Sequence, residues 1–274
     1  MTPALLRITS CMADNAEATC RAITQYLGGK LGIATEFVDC IPWQERERQL
    51  DAGLIHVCWI CGLPYVWKAD AADSVVEASV APVMAAERYA DSPVYYSDIV
   101  VRRDSAYRHF ADLRGASWAY NEANSHSGFN VVRHHLATLG ETGGYFSRAV
   151  ESGAHQRSLS MIVNAEVDAS AVDSTVLEAE FTYSPLLRDK IRVIGTLGPS
   201  PMPPWVLHKS LPPELRAGIR DTLLAMHTDD TGKHILAQWG MAHFAAVDDA
   251  AYDPIRTMAQ QADGITLARL HHQP

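Results

Sequence analysis

Residues 118–174, WAYNEANSHSGFNVVRHHLATLGETGGYFSRAVESGAHQRSLSMIVNAEVDASAVDS, repeat a strand-turn-helix pattern. Ser117–Tyr120 reads as a strand and the polar run Asn121-Glu122-Ala123-Asn124-Ser125-His126-Ser127-Gly128 as a turn; Phe129, Val132, Leu136 and Leu139 then mark one face of a helix. A second strand ends in Glu151-Ser152-Gly153-Ala154-His155 ahead of a helix bearing Leu159, Ile162 and Val163, and a third ends in Asp173-Ser174-Thr175. Three hydroxyl-rich strand-to-helix turns so close together point to a parallel α/β sheet, whose C-terminal strand edge gathers such turns. Helix N-termini there offer unpaired N–H groups and partial positive charge, so the edge suits an anion or a polar oxygen-bearing ligand.

Upstream the same alternation runs from the first residues. Leu6–Cys11 reads as a strand, Ala16–Leu27 as a helix closed by Gly28-Gly29, Ala34–Cys40 as a strand, Trp43–Ala52 as a charged amphipathic helix, and Leu54–Cys61 as a buried strand. Gly62-Leu63-Pro64-Tyr65 starts a short helix, because proline suits a first helical turn, and Ser79–Ala85 and Val94–Arg102 return as strands. Downstream, Phe181–Lys190 leads to a strand at Ile191–Leu197, Pro201, Pro203 and Pro204 make a stiff crossing, and Trp205-Val206-Leu207 resumes a strand. Pro212-Pro213 opens a helix with Leu215, Ile219, Leu223 and Met226 on one face, Gly240 closes another, and Tyr252–Ala262 reads as a last one. The expected architecture is therefore α/β with two lobes, residues 1–93 plus 205–274 and residues 94–204, joined by two hinge crossings with a ligand cleft between them.

Composition excludes several classes. A chain of 274 residues with 47% hydrophobic and 20% charged residues is an ordinary globular protein, long enough for two lobes. A formal net charge of −9 excludes long-range attraction to nucleic acid or an anionic membrane, while leaving a small anion open to capture by local dipoles. The apolar run Ile55–Ile60 is far short of the roughly 20 residues a membrane helix needs, so no membrane insertion is expected. The first ten residues lack a basic segment followed by an apolar core. Two localisations stay open: the cytoplasm with Met1 as the true start, or the periplasm or cell envelope with a leader removed.

All five cysteines, Cys11, Cys20, Cys40, Cys58 and Cys61, fall in the first 61 residues. Cys58 and Cys61 have redox-pair or half-zinc-site spacing, but Cys58 lies in a strand-like run and no histidine stands at finger-like distance, so a structural role is expected and no metal. Cys11, Cys40 and Cys61 all stand at strand ends and are expected near one another. His134-His135 and His271-His272 read as surface histidines, because adjacent helical residues do not face the same way. Trp59 and Trp205, at the lobe boundaries, either stack on a ligand or fill the hinge.

Five pieces in order resemble a known family. Gly62-Leu63-Pro64-Tyr65-Val66, Asn124-Ser125-His126-Ser127-Gly128, Ser152-Gly153-Ala154-His155, Val167-Asp168 with Val172-Asp173-Ser174, and the SPMP segment Ser200–Pro203 are similar to the phosphate/phosphite/phosphonate-binding proteins of ABC importers, the PhnD-like group. The resemblance implies a type 2 periplasmic-binding-protein fold and a non-catalytic protein that closes on a small oxyanion or phosphonate-like ligand, as an ABC-importer component or ligand sensor. It implies an ABC permease as partner, no cofactor and a monomer. Its Ser-Thr-Ser-Gly phosphonate turn becomes Ser125-His126-Ser127-Gly128, with His126 adding a charge-assisted bond if protonated, and His155 matches its cleft histidine. Tyr65 and Tyr95 match its ligand-walling aromatics, and Asp173 and Ser174 stand at the third turn. The acids that hold a ligand ammonium are unmatched: Thr175 stands near one position, and no Asp lies between Pro203 and Trp205.

Each residue also has a plainer role. Ser125, Ser127 or Asp173 serves equally as a helix cap, His155 as an exposed helix start, and Tyr65 as a core aromatic with its hydroxyl on the backbone. The second functional reading is a cytosolic enzyme on the same fold, similar to those of menaquinone biosynthesis, acting on a small carboxylated metabolite with a cleft histidine as base. Against it, hydroxyls dominate the candidate site and no nucleophile-base-orienter set is present.

Overall fold

The computed structural model describes residues 3–268. In chain order the strands are β1 (Leu5–Ser10), β2 (Ala34–Phe37), β3 (Val57–Trp59), β4 (Val76–Met84), β5 (Val94–Arg102), β6 (Ser117–Tyr120), β7 (Arg148–Glu151), β8 (Ala169–Asp173), β9 (Ile191–Pro201), β10 (Trp205–His208) and β11 (Met241–Ala246). The α-helices are α1 (Glu17–Leu31), α2 (Trp43–Asp51), α3 (Gly62–Ala69), α4 (Val131–Thr138), α5 (His155–Val163), α6 (Ser174–Tyr183), α7 (Leu187–Lys190), α8 (Pro213–Leu224), α9 (Asp230–Ala237) and α10 (Asp253–Gln261). Among the described residues no helix is long and apolar enough to cross a membrane.

Two compact units result among the described residues, one of residues 3–94 with Pro201–Asp253, the other Tyr95–Ser200 with residues 254–268. That last segment, expected with residues 1–93, belongs instead to the second unit, so the chain passes between units a third time, at 253/254. The contacts explain the difference. Met258 and Ile265 pack on the second unit's core and Leu267 is buried in it. The Arg133 guanidinium donates to the carbonyls of Ala262 and Ile265 (2.6 and 2.8 Å), and the Phe146 N–H donates to the Leu267 carbonyl at 3.0 Å. Amphipathic spacing announces an apolar face but not which core receives it.

The first unit holds a six-stranded sheet ordered β11-β4-β10-β3-β1-β2, with β1 parallel to β2 and β3 and β10 antiparallel to β3 and β4. Helix α1 does not stop at Gly28-Gly29 but runs on to Leu31 and ends at Gly32, whose φ is 64°. Gly28 serves packing: a Cβ there would lie 2.6 Å from Thr35 Oγ1, so its absence lets the helix approach β2. Trp59 and Trp205 fill the core, stacked on each other with ring centroids 6.0 Å apart, and Trp239 meets Trp59 edge-on. The Trp59 indole N–H donates to the Pro203 carbonyl at 3.0 Å. All five cysteines are free, and the Cys11 thiol lies 3.7 Å from that of Cys58.

The second unit's sheet is ordered β7-β6-β8-β5-β9. Strand β6 is parallel to β7 and β8, whereas β5 is antiparallel to β8, with Ser97 opposite Asp173. The C-terminal ends of β6, β7 and β8 and the start of β5 therefore share one sheet edge. One face of the sheet packs on Trp118, Phe146, Val132 and Leu136, with Trp118 stacked on Phe146 at 4.4 Å; Leu159, Ile162 and Leu177 belong to a second cluster with Val100 and Val172. His135 is half-buried, its ring edge-on to Phe110 at 4.6 Å, rather than a surface residue, while His134 bonds Gln261 at 2.8 Å. His271 and His272 lie outside the described residues.

Candidate functional site

The turn after β6 does not enter an α-helix directly, as the apolar spacing from Phe129 predicts. His126–Asn130 forms a π-helical turn and α4 begins at Val131. Such wide turns are rare and concentrate at functional sites. Ser125 caps the turn, its Oγ accepting the Gly128 N–H at 3.1 Å, and the Asn130 N–H donates to the Ser125 carbonyl at 3.0 Å. Gly128 is required by its neighbours, since a Cβ there would stand 1.9 Å from Asn121 Oδ1 and 3.2 Å from His155 Cε1. Replacing Gly128 by Ala is expected to push Asn121 and His155 outward and to weaken ligand binding about tenfold, at a folding cost of about 1–3 kcal/mol; calorimetry and urea unfolding measure the two separately.

Ser127 and His155 come together as the turns of β6 and β7 converge: Ser127 Oγ is 3.2 Å from His155 Nε2. His155 opens α5 but is only 6% exposed, so it is not a solvent-facing helix start. Its Nδ1 is buried with no hydrogen-bond partner among the described residues. Burial pushes its pKa down to about 4. His126 is fully buried and likewise held neutral, its pKa pushed down to about 3 by burial. Burial thus favours the neutral form of both imidazoles, whereas the charge-assisted bond expected of His126 requires the protonated one. Its ring is engaged instead by Ser200 Oγ at Nε2 (3.0 Å) and by Asn130 Nδ2 at Nδ1 (3.2 Å).

At the third turn Asp173 caps α6. Its Oδ1 accepts the N–H and the hydroxyl of Thr175 at 2.8 and 2.6 Å. Burial, opposed by these hydrogen bonds and reinforced by the negative charge of Asp98, raises its pKa to about 6. Ser174 Oγ accepts the Tyr96 N–H at 3.1 Å, tying this turn to the start of β5. Tyr95, buried beside it in sequence, sets its ring 6.4 Å from that of His126. The second unit thus assembles Tyr95, Ser125, His126, Ser127, His155, Asp173 and Ser174 along one sheet edge. Tyr65 belongs to the first unit, buried in α3, where its hydroxyl donates to the Asp249 carboxylate at 2.8 Å rather than to backbone and its ring meets Tyr252 edge-on at 4.8 Å.

Asn121 and Ser200 belong to segments that the sequence marks, but neither they nor Asn130 are marked by it as site residues. Asn130 stands four residues after His126, a helical neighbour spacing that signals a contact, whereas Ser200 reaches His126 only through sheet order.

Residues 8–252 match the family model described as ABC transporter, phosphonate, periplasmic substrate-binding protein. Among solved structures, the chain is similar to the binding protein component of an ABC phosphonate transporter from Pseudomonas aeruginosa, with a TM-score of 0.82 and 18% identity over 96% of this chain and 88% of that one. PhnD1 from Prochlorococcus marinus, in complex with methylphosphonate, matches with a TM-score of 0.81 and 15% identity over 96% of this chain and 100% of its own. A Xanthomonas citri protein bound to ATP matches with a TM-score of 0.67 and 15% identity over 95% of this chain and 97% of its own. The structures share the two-lobed fold, and with residues 8–252 spanned by the family model, the chain belongs to the phosphonate-binding periplasmic substrate-binding proteins of ABC transporters.

Proposed function

We propose that this chain binds a small phosphonate-class oxyanion through neutral donors at the sheet edge of its second unit: the hydroxyls of Ser125 and Ser127, the N–H groups of the turn they start, and His155. Family membership makes it a non-catalytic solute-binding protein, with a small anion as ligand and an ABC permease as partner, and lends the enzyme reading no support. The observation that carries the site is the convergence of Ser127 on a neutral, buried His155 beside the Ser125 cap. Several short hydrogen bonds from uncharged groups hold a tetrahedral oxyanion without burying an unpaired cation. Tyr95 supplies an aromatic wall beside His126, and Asp173 and Ser174 shape the third turn.

The ligand needs no ammonium group. Thr175 spends its hydroxyl on Asp173, and Pro204 directly precedes Trp205 with no Asp between Pro203 and Trp205. A thermal-shift panel of phosphate, phosphite, methylphosphonate, sulfate and aminoethylphosphonate tests the reading. A ligand present at 100 times its dissociation constant stabilises the native state by about 2.7 kcal/mol. The expected result is a clear shift with methylphosphonate or an inorganic oxyanion of phosphorus, and no preference for aminoethylphosphonate. Selective stabilisation by aminoethylphosphonate overturns the amine-free ligand, and silence across the panel overturns the oxyanion class.

A further inference from the structure

We propose that Ser200 is an additional ligand-binding hydroxyl, aimed by His126 acting as a neutral positioning residue. The inference rests on the oxyanion site proposed above and extends it to β9. Its basis is a proton count along a chain of three side chains. Asn130 Nδ2 is an amide nitrogen and only donates, so His126 Nδ1, 3.2 Å away, accepts. A neutral imidazole carries one ring proton, which is then on Nε2, and that N–H donates to Ser200 Oγ at 3.0 Å. Ser200 is thereby committed as an acceptor toward His126. Its own O–H proton has no acceptor among the described side chains, although the residue is only 2% exposed.

A buried hydroxyl with its proton unspent is costly without an acceptor, and an anionic oxygen is the acceptor that rewards it most. The hydroxyl stands at the right place for one. It contacts the residue flanked by Ser125 and Ser127, and β9 is the sheet neighbour of β5, whose start carries Tyr95. Donation from the imidazole also polarises the Ser200 O–H, which strengthens the bond it gives.

Titration calorimetry on the full chain at pH 7.5, with methylphosphonate and inorganic phosphate as probes, tests this. Ser200→Ala is expected to weaken the better probe roughly 10–100-fold, the range for a hydrogen bond to a charged group. His126→Leu should weaken it similarly, and Ser200→Ala combined with His126→Leu should bind no worse than Ser200→Ala alone, because the two act as one unit. His126→Gln, which can accept from Asn130 and donate to Ser200, should recover affinity to within about threefold of the parent. A merely structural histidine would not show that rescue. Parent-like affinity of Ser200→Ala overturns the assignment, as does His126→Gln binding as poorly as His126→Leu. Failure of the parent chain to bind either probe overturns the ligand class itself, and this assignment with it.

Discussion

Replacing Ser125 and Ser127 together by alanine is expected to weaken oxyanion binding by about 2–4 kcal/mol, since each hydroxyl lost from a charged acceptor costs about 1.5–3 kcal/mol and the two share one turn. The single variants should divide in a way the geometry dictates. Ser125 Oγ already accepts the Gly128 N–H, so Ser125→Ala also removes a cap and lowers folding stability by about 1 kcal/mol. Among the described residues Ser127 Oγ is hydrogen-bonded only to the His155 ring, so Ser127→Ala should act mainly on affinity. Calorimetry with methylphosphonate and urea unfolding without ligand separate these effects. Unchanged affinity in the double variant would reduce the turn to a helix start.

Stability should fall in mild acid, before ordinary carboxylates titrate. Burial lowers the pKa of His126 to about 3 and of His155 to about 4, against 6.5 for a free imidazole. Below pH 6.5 the unfolded chain takes up protons that the native chain refuses, so this contribution is complete above 6.5 and lost as pH drops toward 4 and below. Asp173 runs the other way. With its pKa raised to about 6, the native state keeps that proton longer than the unfolded state does, an opposition that fades as pH falls through 6 to 3.8. Two histidines outnumber one aspartate, so these groups give unfolding a net uptake of protons near pH 5 and stability falls there with falling pH. His56, His135 and His208, all lowered by burial, push in the same direction. Urea midpoints should decline from pH 7 to 4.5, and less steeply in His126→Gln. A flat or rising midpoint would mean that these imidazoles are not held neutral.

Periodicity and punctuation by themselves determined the α/β alternation, the strand Val94–Arg102 and the three hydroxyl-rich turns, because each is a local property of neighbouring residues. The start of α4 was not legible in that way. Apolar spacing continues through Phe129, but packing of Gly128 on Asn121 and His155 accompanies a π-helical turn before the regular helix. The run of α1 through Gly28-Gly29 has a similar origin, in a close approach to Thr35 that no helix propensity contains. The histidines depended most on tertiary structure. In the sequence His126 reads as a group that adds a charge-assisted bond if protonated, and His155 as a cleft histidine or an exposed helix start. Burial makes the charged form too costly, and partners from β9 and the β6 turn, remote in the chain, convert them into neutral hydrogen-bonding groups. Tertiary structure likewise assigned the segment of α10 to the second unit, since an amphipathic helix is committed to a core only when one is brought against it, here the cluster that receives Met258, Ile265 and Leu267, with Arg133 bonding the carbonyls that follow the helix.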